Sequence, residues 1–214
     1  MEPTRISAIR HGETAWNVDT RLQGHLDIPL NEVGLRQAQH LAQTLVQRET
    51  IDAIYASDLS RAHSTAQAIA QAMGQSVTVH AGLRERHFGA FQGRTYAQIE
   101  TELPEHAWHW RKRTPDWAPP GGGESLIVLR ERVIQTVEAL AAAHAGQHIV
   151  MVAHGGVLDI LYRAAARLDL QAPRTWALTN TAVNRLLWTP QGLSLVGWGD
   201  TSHLDAVAKD ESSL

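Results

Sequence analysis

The sequence predicts an α/β fold: a three-layer α/β/α sandwich with a mostly parallel sheet and a small helical lid insertion. Short apolar segments alternate along the chain with amphipathic helical segments, which is the pattern of parallel βαβ units. The segments at 5–10 and 147–153 are apolar through most of their length, as in strands buried on both faces. Two further apolar segments flank the turn sequence 189–192, which predicts a hairpin and an antiparallel edge.

Periodicity, capping residues and breaks define the individual elements. We predict strands at 5–10, 51–56, 76–80, 147–153, 182–188 and 193–198, and helices at 32–48, 61–73, 95–113, 124–143 and 157–167. The first helix follows the capping residue Asn31 and carries apolar residues three and four positions apart. The second follows a turn and cap at 57–60 and stops at Gly74. The segment 95–113 is predicted as one or two short helices with a break at Pro104. Glu124 with Ser125 is predicted to cap the helix at 124–143.

Three stretches lie outside this regular pattern. Residues 12–30 form a long loop with little periodicity, and such loops are usually either functional or disordered. Residues 83–123, which we call the lid segment, combine a loop, the short helices and a Pro- and Gly-rich break. We expect them to be an insertion in a single domain spanning 1–214. The polar tail after Asp200 is predicted to fray.

Composition narrows the class of protein. The formal net charge is -3 and basic residues are dispersed, which argues against a nucleic-acid partner or an acidic membrane surface. The absence of Cys excludes disulfides, cysteine nucleophiles and thiolate metal sites. No apolar stretch reaches signal or transmembrane length, so we expect a cytoplasmic protein. His106 and His109 have helical spacing but no zinc-like ligand set around them, and we expect no metal. Nothing in the sequence predicts an oligomeric state.

Two predicted strands each end in a His followed by Gly. His11 precedes Gly12, and His154 precedes Gly155. The carboxyl ends of parallel strands lie at one edge of the sheet, where open α/β sheets bind ligands. A lone His-Gly pair would favour a structural His at a strand end, but the repetition favours an anion site in which His is a nucleophile.

Charged residues near these strand ends could serve phosphoryl transfer. Arg10 and Arg61 would supply fixed cations for phosphoryl oxygens; alone, Arg61 would be interpreted as a surface residue paired with Asp58. Glu85 could protonate a leaving oxygen, although a solvated carboxylate paired with a neighbouring Arg is an equally good interpretation.

The long loop and the lid segment offer further candidates. Amide, guanidinium and backbone groups of the loop could contact the phosphate or the rest of the substrate; they belong to Asn17, Arg21, Gln23 and Gly24. Each of these residues could equally be a turn residue. The tryptophans at 108, 110 and 117 favour packing or an apolar lid wall over a nucleic-acid stacking surface, because no basic groove accompanies them.

Taken together, these residues resemble the histidine phosphatase superfamily, which includes cofactor-dependent phosphoglycerate mutases. The motifs that carry the resemblance are Arg10-His11-Gly12-Glu13-Thr14 with Asn17, Arg21-Leu22-Gln23-Gly24 with Asp27-Ile28-Pro29-Leu30-Asn31, Ser57-Asp58-Leu59-Ser60-Arg61-Ala62 with Thr65-Ala66, Leu83-Arg84-Glu85 with Phe88-Gly89, Gly122-Gly123-Glu124-Ser125, and Val152-Ala153-His154-Gly155-Gly156. They span nearly the whole chain in one order.

The resemblance implies specific roles. His11 would be phosphorylated during turnover, and Glu85 would act first as general acid and then as base for water. The phosphate pocket would be completed by Arg10, Arg61, His154, Asn17 and the Gly155 backbone, and the substrate side would be lined by Gln23 and Gly24. No metal or organic cofactor is implied.

Departures from the mutase pattern favour hydrolysis. The loop after Asn17 reads Arg-Leu-Gln-Gly, which is closer to the phosphatase branch, and the segment between Glu85 and Gly122 is shorter than in the mutases. Gln92 occupies a position where Glu is common. We therefore predict a phosphoric monoester hydrolase acting on a small phosphorylated metabolite. The alternatives are phosphoglycerate mutase-type transfer and a non-catalytic phospho-ligand binder.

Overall fold

A six-stranded sheet organises the computed structural model, which describes residues 2–204. The strands are β1 (Thr4–Arg10), β2 (Ala53–Ala56), β3 (Val77–Val79), β4 (His148–Ala153), β5 (Val183–Thr189) and β6 (Gly192–Asp200). Their order in the sheet is β3-β2-β4-β1-β5-β6. The first four pair in parallel, and β5 and β6 add the predicted antiparallel edge. The predicted α/β fold is confirmed.

Seven α-helices lie within the described residues. They are α1 (Ala15–Val18), α2 (Glu32–Arg48), α3 (Ser60–Met73), α4 (Tyr96–Glu102), α5 (Pro104–Arg111), α6 (Leu126–Ala142) and α7 (Gly155–Ala166). Four of them, α2, α3, α6 and α7, cover the two faces of the sheet. The core on one face joins α2 and α3 to Val150 and Val152, and the core on the other joins α6 and α7 to Ile149 and Met151. Every residue of β4 is buried, because successive side chains of this central strand enter opposite cores.

Local boundaries differ from the predictions where short-range chemistry decides them. Helix α1 lies within the predicted loop at 12–30; a capping box between Thr14 and Asn17 forms it, and four residues are too few to show helical periodicity. Helix α3 begins at Ser60 after Leu59, with no side-chain cap, so the side-chain cap predicted at 57–60 is wrong. Helix α6 starts after Ser125, whose side chain accepts from the Val128 amide, so only Ser125 of the predicted cap pair acts as the cap.

The lid segment contains two 3-10 turns, at Ala81–Leu83 and Gly89–Phe91, followed by α4 and α5. The predicted break at Pro104 is confirmed, since α4 ends at Glu102 and α5 begins with the proline. A small separate core of Phe88, Phe91 and Ile99 holds the segment together, with Trp110 packed against it.

No helix among residues 2–204 is long and apolar enough to cross a membrane. Residues 202–204 form a helical turn, and the rest of the tail predicted to fray lies outside the described residues.

Candidate active site

His11 lies immediately after β1 and is 3% exposed. Its Nδ1 is 2.7 Å from the carbonyl oxygen of Gly12. Because a carbonyl only accepts, Nδ1 carries the proton and Nε2 keeps its lone pair in the neutral ring. Burial, followed by the nearby cations Arg10 and Arg61, holds the pKa of His11 well below its ordinary value. The ring is therefore a neutral imidazole with a nucleophilic nitrogen near neutral pH.

The second His lies beside the first because β1 and β4 are neighbours in parallel register. The His11 amide donates to Ala153 O at 3.0 Å, and the centroids of the His11 and His154 rings are 5.2 Å apart. His154 is fully buried, and neither ring nitrogen has a hydrogen-bond partner among the described residues. Burial, then Arg61, lowers the pKa of His154 well below its ordinary value.

Two arginines bring positive charge to this pair. Arg61 is 0% exposed and its Nη atoms donate to Leu26 O at 2.9 Å and Gly24 O at 2.7 Å. Arg10 Nη1 donates to Leu178 O. The Nε of each arginine is buried and has no acceptor in the described chain. Buried donors of this kind are expected to bind a ligand.

The interpretation of Arg61 as a surface residue paired with Asp58 is wrong. Asp58 binds Arg84 instead, with a guanidinium nitrogen 2.5 Å from the carboxylate. The same ion pair removes Arg84 as a partner for Glu85.

Glu85 follows the first 3-10 turn and reaches the start of α7. The Gly156 amide lies 3.0 Å and 3.1 Å from its two carboxylate oxygens, and the Arg86 amide donates to Oε1 at 2.7 Å. The absence of a side chain at Gly156 lets the Glu85 carboxylate approach its amide, since a Cβ there would displace the carboxylate. Glu85 binds backbone amides and no Arg side chain, so the interpretation as a carboxylate ion-paired with a neighbouring Arg is wrong.

The loop candidates differ in where their polar groups are directed. Gln23 is buried; its Nε2 donates to Thr14 Oγ1 at 2.8 Å, while its Oε1 has no partner among the described residues. Asn17 Oδ1 accepts from the Thr14 amide at 3.0 Å. Gly24 has φ of 55°, a conformation that favours glycine, and thereby directs its carbonyl to Arg61.

Arg21 is engaged elsewhere. Its Nη1 donates to Gly93 O at 2.9 Å and its Nε is 3.7 Å from Asp19. It ties the loop to the lid segment, and it does not line the cavity that contains Arg10.

Sequence reasoning assigned no role to several residues that hold the site. Thr65 Oγ1 accepts from the Gly12 amide at 3.0 Å and donates to Arg61 O at 2.8 Å. Asn180 Nδ2 donates to the backbone oxygen of His11 at 2.8 Å. Thr65 follows Arg61 by one helical turn, a spacing that could have revealed it. Asn180 comes from a connection without periodicity, and only tertiary structure brings it to the site.

Two adjoining cavities open from this centre. The inner cavity has a volume of about 370 Å³ and includes Arg10, Gly155 and Gly156 in its lining. The outer cavity, of about 600 Å³, extends along the lid segment past Tyr96 and Trp117. Both are lined by Arg86, Trp110, Arg113, Leu126 and Arg174.

Among residues 2–204, no cluster of three or more His, Asp or Glu side chains has the geometry of a metal site. The site consists of imidazoles, guanidiniums, a carboxylate and backbone amides.

Comparison with known proteins places this geometry in context. A model of the histidine phosphatase superfamily (branch 1) matches residues 6–201. The chain is 40% identical to phosphoglycerate mutase-like protein 4 of Arabidopsis thaliana over 96% of this chain and 89% of that protein. It is 37% identical to a metal-independent phosphoserine phosphatase of Arabidopsis thaliana over 96% and 85% of the two chains. The structure of a mycobacterial glucosyl-3-phosphoglycerate phosphatase superposes with a TM-score of 0.81 at 32% identity, covering 94% of this chain and 100% of the other.

Proposed function

We propose that this chain, which belongs to the histidine phosphatase superfamily, hydrolyses a small phosphomonoester and carries the phosphoryl group on His11 during turnover. Membership confirms the resemblance found in the motifs. One observation carries the proposal: the Nδ1 proton of His11 is fixed on Gly12 O, which leaves Nε2 as a neutral nucleophile beside two buried guanidiniums.

In the first step, His11 Nε2 attacks phosphorus and the bond to the leaving oxygen breaks. Arg10 and Arg61 stabilise the charge on the phosphoryl oxygens through the Nε donors that have no acceptor in the described chain. His154, Asn17 and the Gly155 amide complete the phosphate pocket, as the resemblance implies. Glu85 donates a proton to the leaving oxygen, which departs as a neutral alcohol.

In the second step, the ionised Glu85 removes a proton from water as the water attacks phosphorus. The bond between phosphorus and Nε2 breaks, inorganic phosphate leaves, and Glu85 regains its proton. The sum is ester plus water giving alcohol plus phosphate, and it needs no cofactor or metal.

The remaining predicted residues act on the substrate side of the same site. Gln23 and Gly24 contact the substrate, and the Gly24 carbonyl also orients Arg61, while Arg21 positions this loop against the lid segment. The lid segment, an insertion in a single domain of 1–214, covers the leaving group with Trp110 and Phe88.

The partner of the site is a small phosphorylated metabolite. Two named relatives, a phosphoserine phosphatase and a glucosyl-3-phosphoglycerate phosphatase, act on molecules of that kind. Another relative carries a phosphoglycerate mutase-like name, which makes transfer to a sugar acid the alternative. Measuring phosphate release beside phosphoglycerate isomerisation separates the two, and fast isomerisation with negligible hydrolysis would overturn hydrolysis. A cytoplasmic location stays a prediction that cell fractionation would test.

The variant His11→Ala tests the phosphohistidine and the non-catalytic alternative together. We expect it to lose at least 1,000-fold in kcat, because it removes the nitrogen that attacks phosphorus in the proposed mechanism, while circular dichroism and the melting temperature stay near wild type. Rapid acid-free quenching with radiolabelled substrate should trap an alkali-stable phosphoryl group in the wild type only. His40→Ala, a change in α2 away from the site, is the control. Retained activity in His11→Ala would refute the mechanism.

A further inference from the structure

Three arginines with no part in the proposed chemistry lie where the inner and outer cavities join. They are Arg86, Arg113 and Arg174. Arg86 follows the general acid Glu85, Arg113 lies just after α5, and Arg174 comes from the connection after α7. Three distant segments of the chain therefore bring cations to one place beside the phosphate pocket.

Arg86 is 6% exposed, a burial that is unusual for Arg without an ion pair. Its Nε donates to Glu124 O at 2.8 Å, and its guanidinium lies 5.2 Å from the centroid of the Trp110 ring. Its Nη atoms have no hydrogen-bond acceptor among residues 2–204. Burial, and next the neighbouring Arg113, lowers the pKa of Arg86 to about 10, so the group stays a cation near neutral pH.

Two carboxylates near this junction form ion pairs with arginines other than Arg86. Asp159 binds Arg113 at 2.7 Å and Arg163 at 2.9 Å. Glu124 binds Arg132, with a nitrogen to oxygen distance of 2.8 Å. Neither carboxylate forms an ion pair with Arg86, and the negative charges of Glu124 and Glu85 offset only part of the lowering of its pKa.

Arg174 is also without an ion pair. It is exposed, and it makes no ion pair with any described residue. Arg111, which lines the outer cavity too, differs in this respect because it pairs with Glu100 at 2.8 Å. Neither Arg86 nor Arg174 therefore has an ion-pair partner among the described residues at the junction.

We propose that the leaving group of the substrate carries a second anionic group, a carboxylate or a further phosphoryl group, which binds between Arg86 and Arg174. The proposal rests on the proposed function, because it concerns the leaving group of that reaction. The inner cavity is lined by Arg10 and Gly155 as well as by these two arginines, so the ester phosphate and the second anion occupy one continuous space. Guanidinium groups bind such anions through paired hydrogen bonds.

Substrate pairs that differ by one anionic group test the proposal directly. For a carboxylate, 3-phosphoglycerate is compared with glycerol 3-phosphate. For a phosphoryl group, fructose 1,6-bisphosphate is compared with fructose 6-phosphate. In one pair, we expect kcat/KM to be at least tenfold higher for the member that carries the additional anionic group. The pair that shows this difference identifies the anion.

Variants connect that preference to the arginines. Arg174→Ala changes an exposed side chain and should leave folding intact, while Arg86→Met keeps the length of a buried chain without its charge. Each should reduce the ratio of kcat/KM within the preferred pair about tenfold, the effect of losing one charged hydrogen bond. Arg130→Ala, an exposed residue of α6 that lines neither cavity, should leave the ratio unchanged. If Arg86→Met fails to fold, Arg174→Ala decides the question.

Binding to the inactive His11→Ala protein separates this proposal from the proposed function. Within the pair that shows the kinetic difference, calorimetry should show tighter binding of the member with the additional anionic group. A further Arg174→Ala substitution should make the affinities for the two members equal. Hydrolysis of all four esters without preference would overturn the anion site and leave the phosphatase standing. Absence of hydrolysis with anion-selective binding would overturn the phosphatase and leave the anion site. Equal binding of both members of each pair would refute the anion site whether or not the esters are hydrolysed.

Discussion

Replacing Glu85 by Gln separates the proposed proton transfer by this side chain from its hydrogen bonds to the backbone. The carboxylate accepts from the Arg86 amide at 2.7 Å and from the Gly156 amide at 3.0 Å through the same oxygen, Oε1. An amide oxygen at that position can keep both bonds. The contact at 3.1 Å between Oε2 and the Gly156 amide is lost, which costs about 1 kcal/mol of stability. We therefore expect Glu85→Gln to fold.

The catalytic loss should be much larger than the structural one. General acid–base catalysis contributes roughly 10²–10⁴ in rate, or about 3–5 kcal/mol of activation free energy. Alkyl phosphates need a proton on the leaving oxygen, so their hydrolysis by Glu85→Gln should fall within that range. p-Nitrophenyl phosphate releases a stabilised phenolate, so its first step should stay fast while attack by water on phosphohistidine becomes slow.

Stopped-flow measurement of nitrophenol release should consequently show a burst of about one equivalent per active site, followed by slow turnover. Glu13→Gln is the matched control: its carboxylate accepts from Asn31 Nδ2 at 2.8 Å, and the mechanism assigns it no proton transfer. We expect that variant to retain kcat within about threefold. Alkyl phosphate hydrolysis at the wild-type rate by Glu85→Gln would refute the reasoning. Equal slowing of phosphoryl transfer to His11 and of phosphohistidine hydrolysis, with no burst, would also refute it, since Glu85 would then only hold the structure of the site.

Two predictions concern stability. The folded state lowers the pKa of His11 and His154 below the unfolded value of about 6.5, so the unfolded state binds more protons below that pH. The free energy of unfolding should therefore fall on acidification by about 1.4 kcal/mol per pH unit for each His. Urea titrations from pH 7 to 5 should show that the free energy of unfolding of His154→Gln depends less steeply on pH than that of the wild type. Gly34→Ala should destabilise by about 1–3 kcal/mol although Ala favours helix by about 1 kcal/mol, because the methyl group would collide with Glu13 O. Gln43→Ala, an exposed change in the same helix, should stay within about 0.5 kcal/mol of wild type, and an unchanged or higher stability of Gly34→Ala would contradict the close packing.

The fold was predictable from sequence because its signals are local and repeated. Burial of β4 on both faces makes it an apolar run, and the amphipathic face of α2 repeats at helical spacing. Boundaries were less predictable, since a single cap or contact decides them. Asp58 illustrates this: it follows β2 in a sequence typical of a cap, yet its carboxylate binds Arg84 from another segment.

The sequence by itself determined the fold class and identified the residues to which the proposed mechanism assigns chemistry. His11, His154, Arg61 and Glu85 follow or adjoin strand ends, and parallel strands place their carboxyl ends at one edge. Only the tertiary structure decided the tautomer of His11, the amide contacts of Glu85 and the presence of Arg86 and Arg174 in the lining of one cavity. The physical reason is separation along the chain. A strand end constrains its own neighbours, whereas a hydrogen bond or a cavity joins atoms from segments whose distance apart is fixed only after packing.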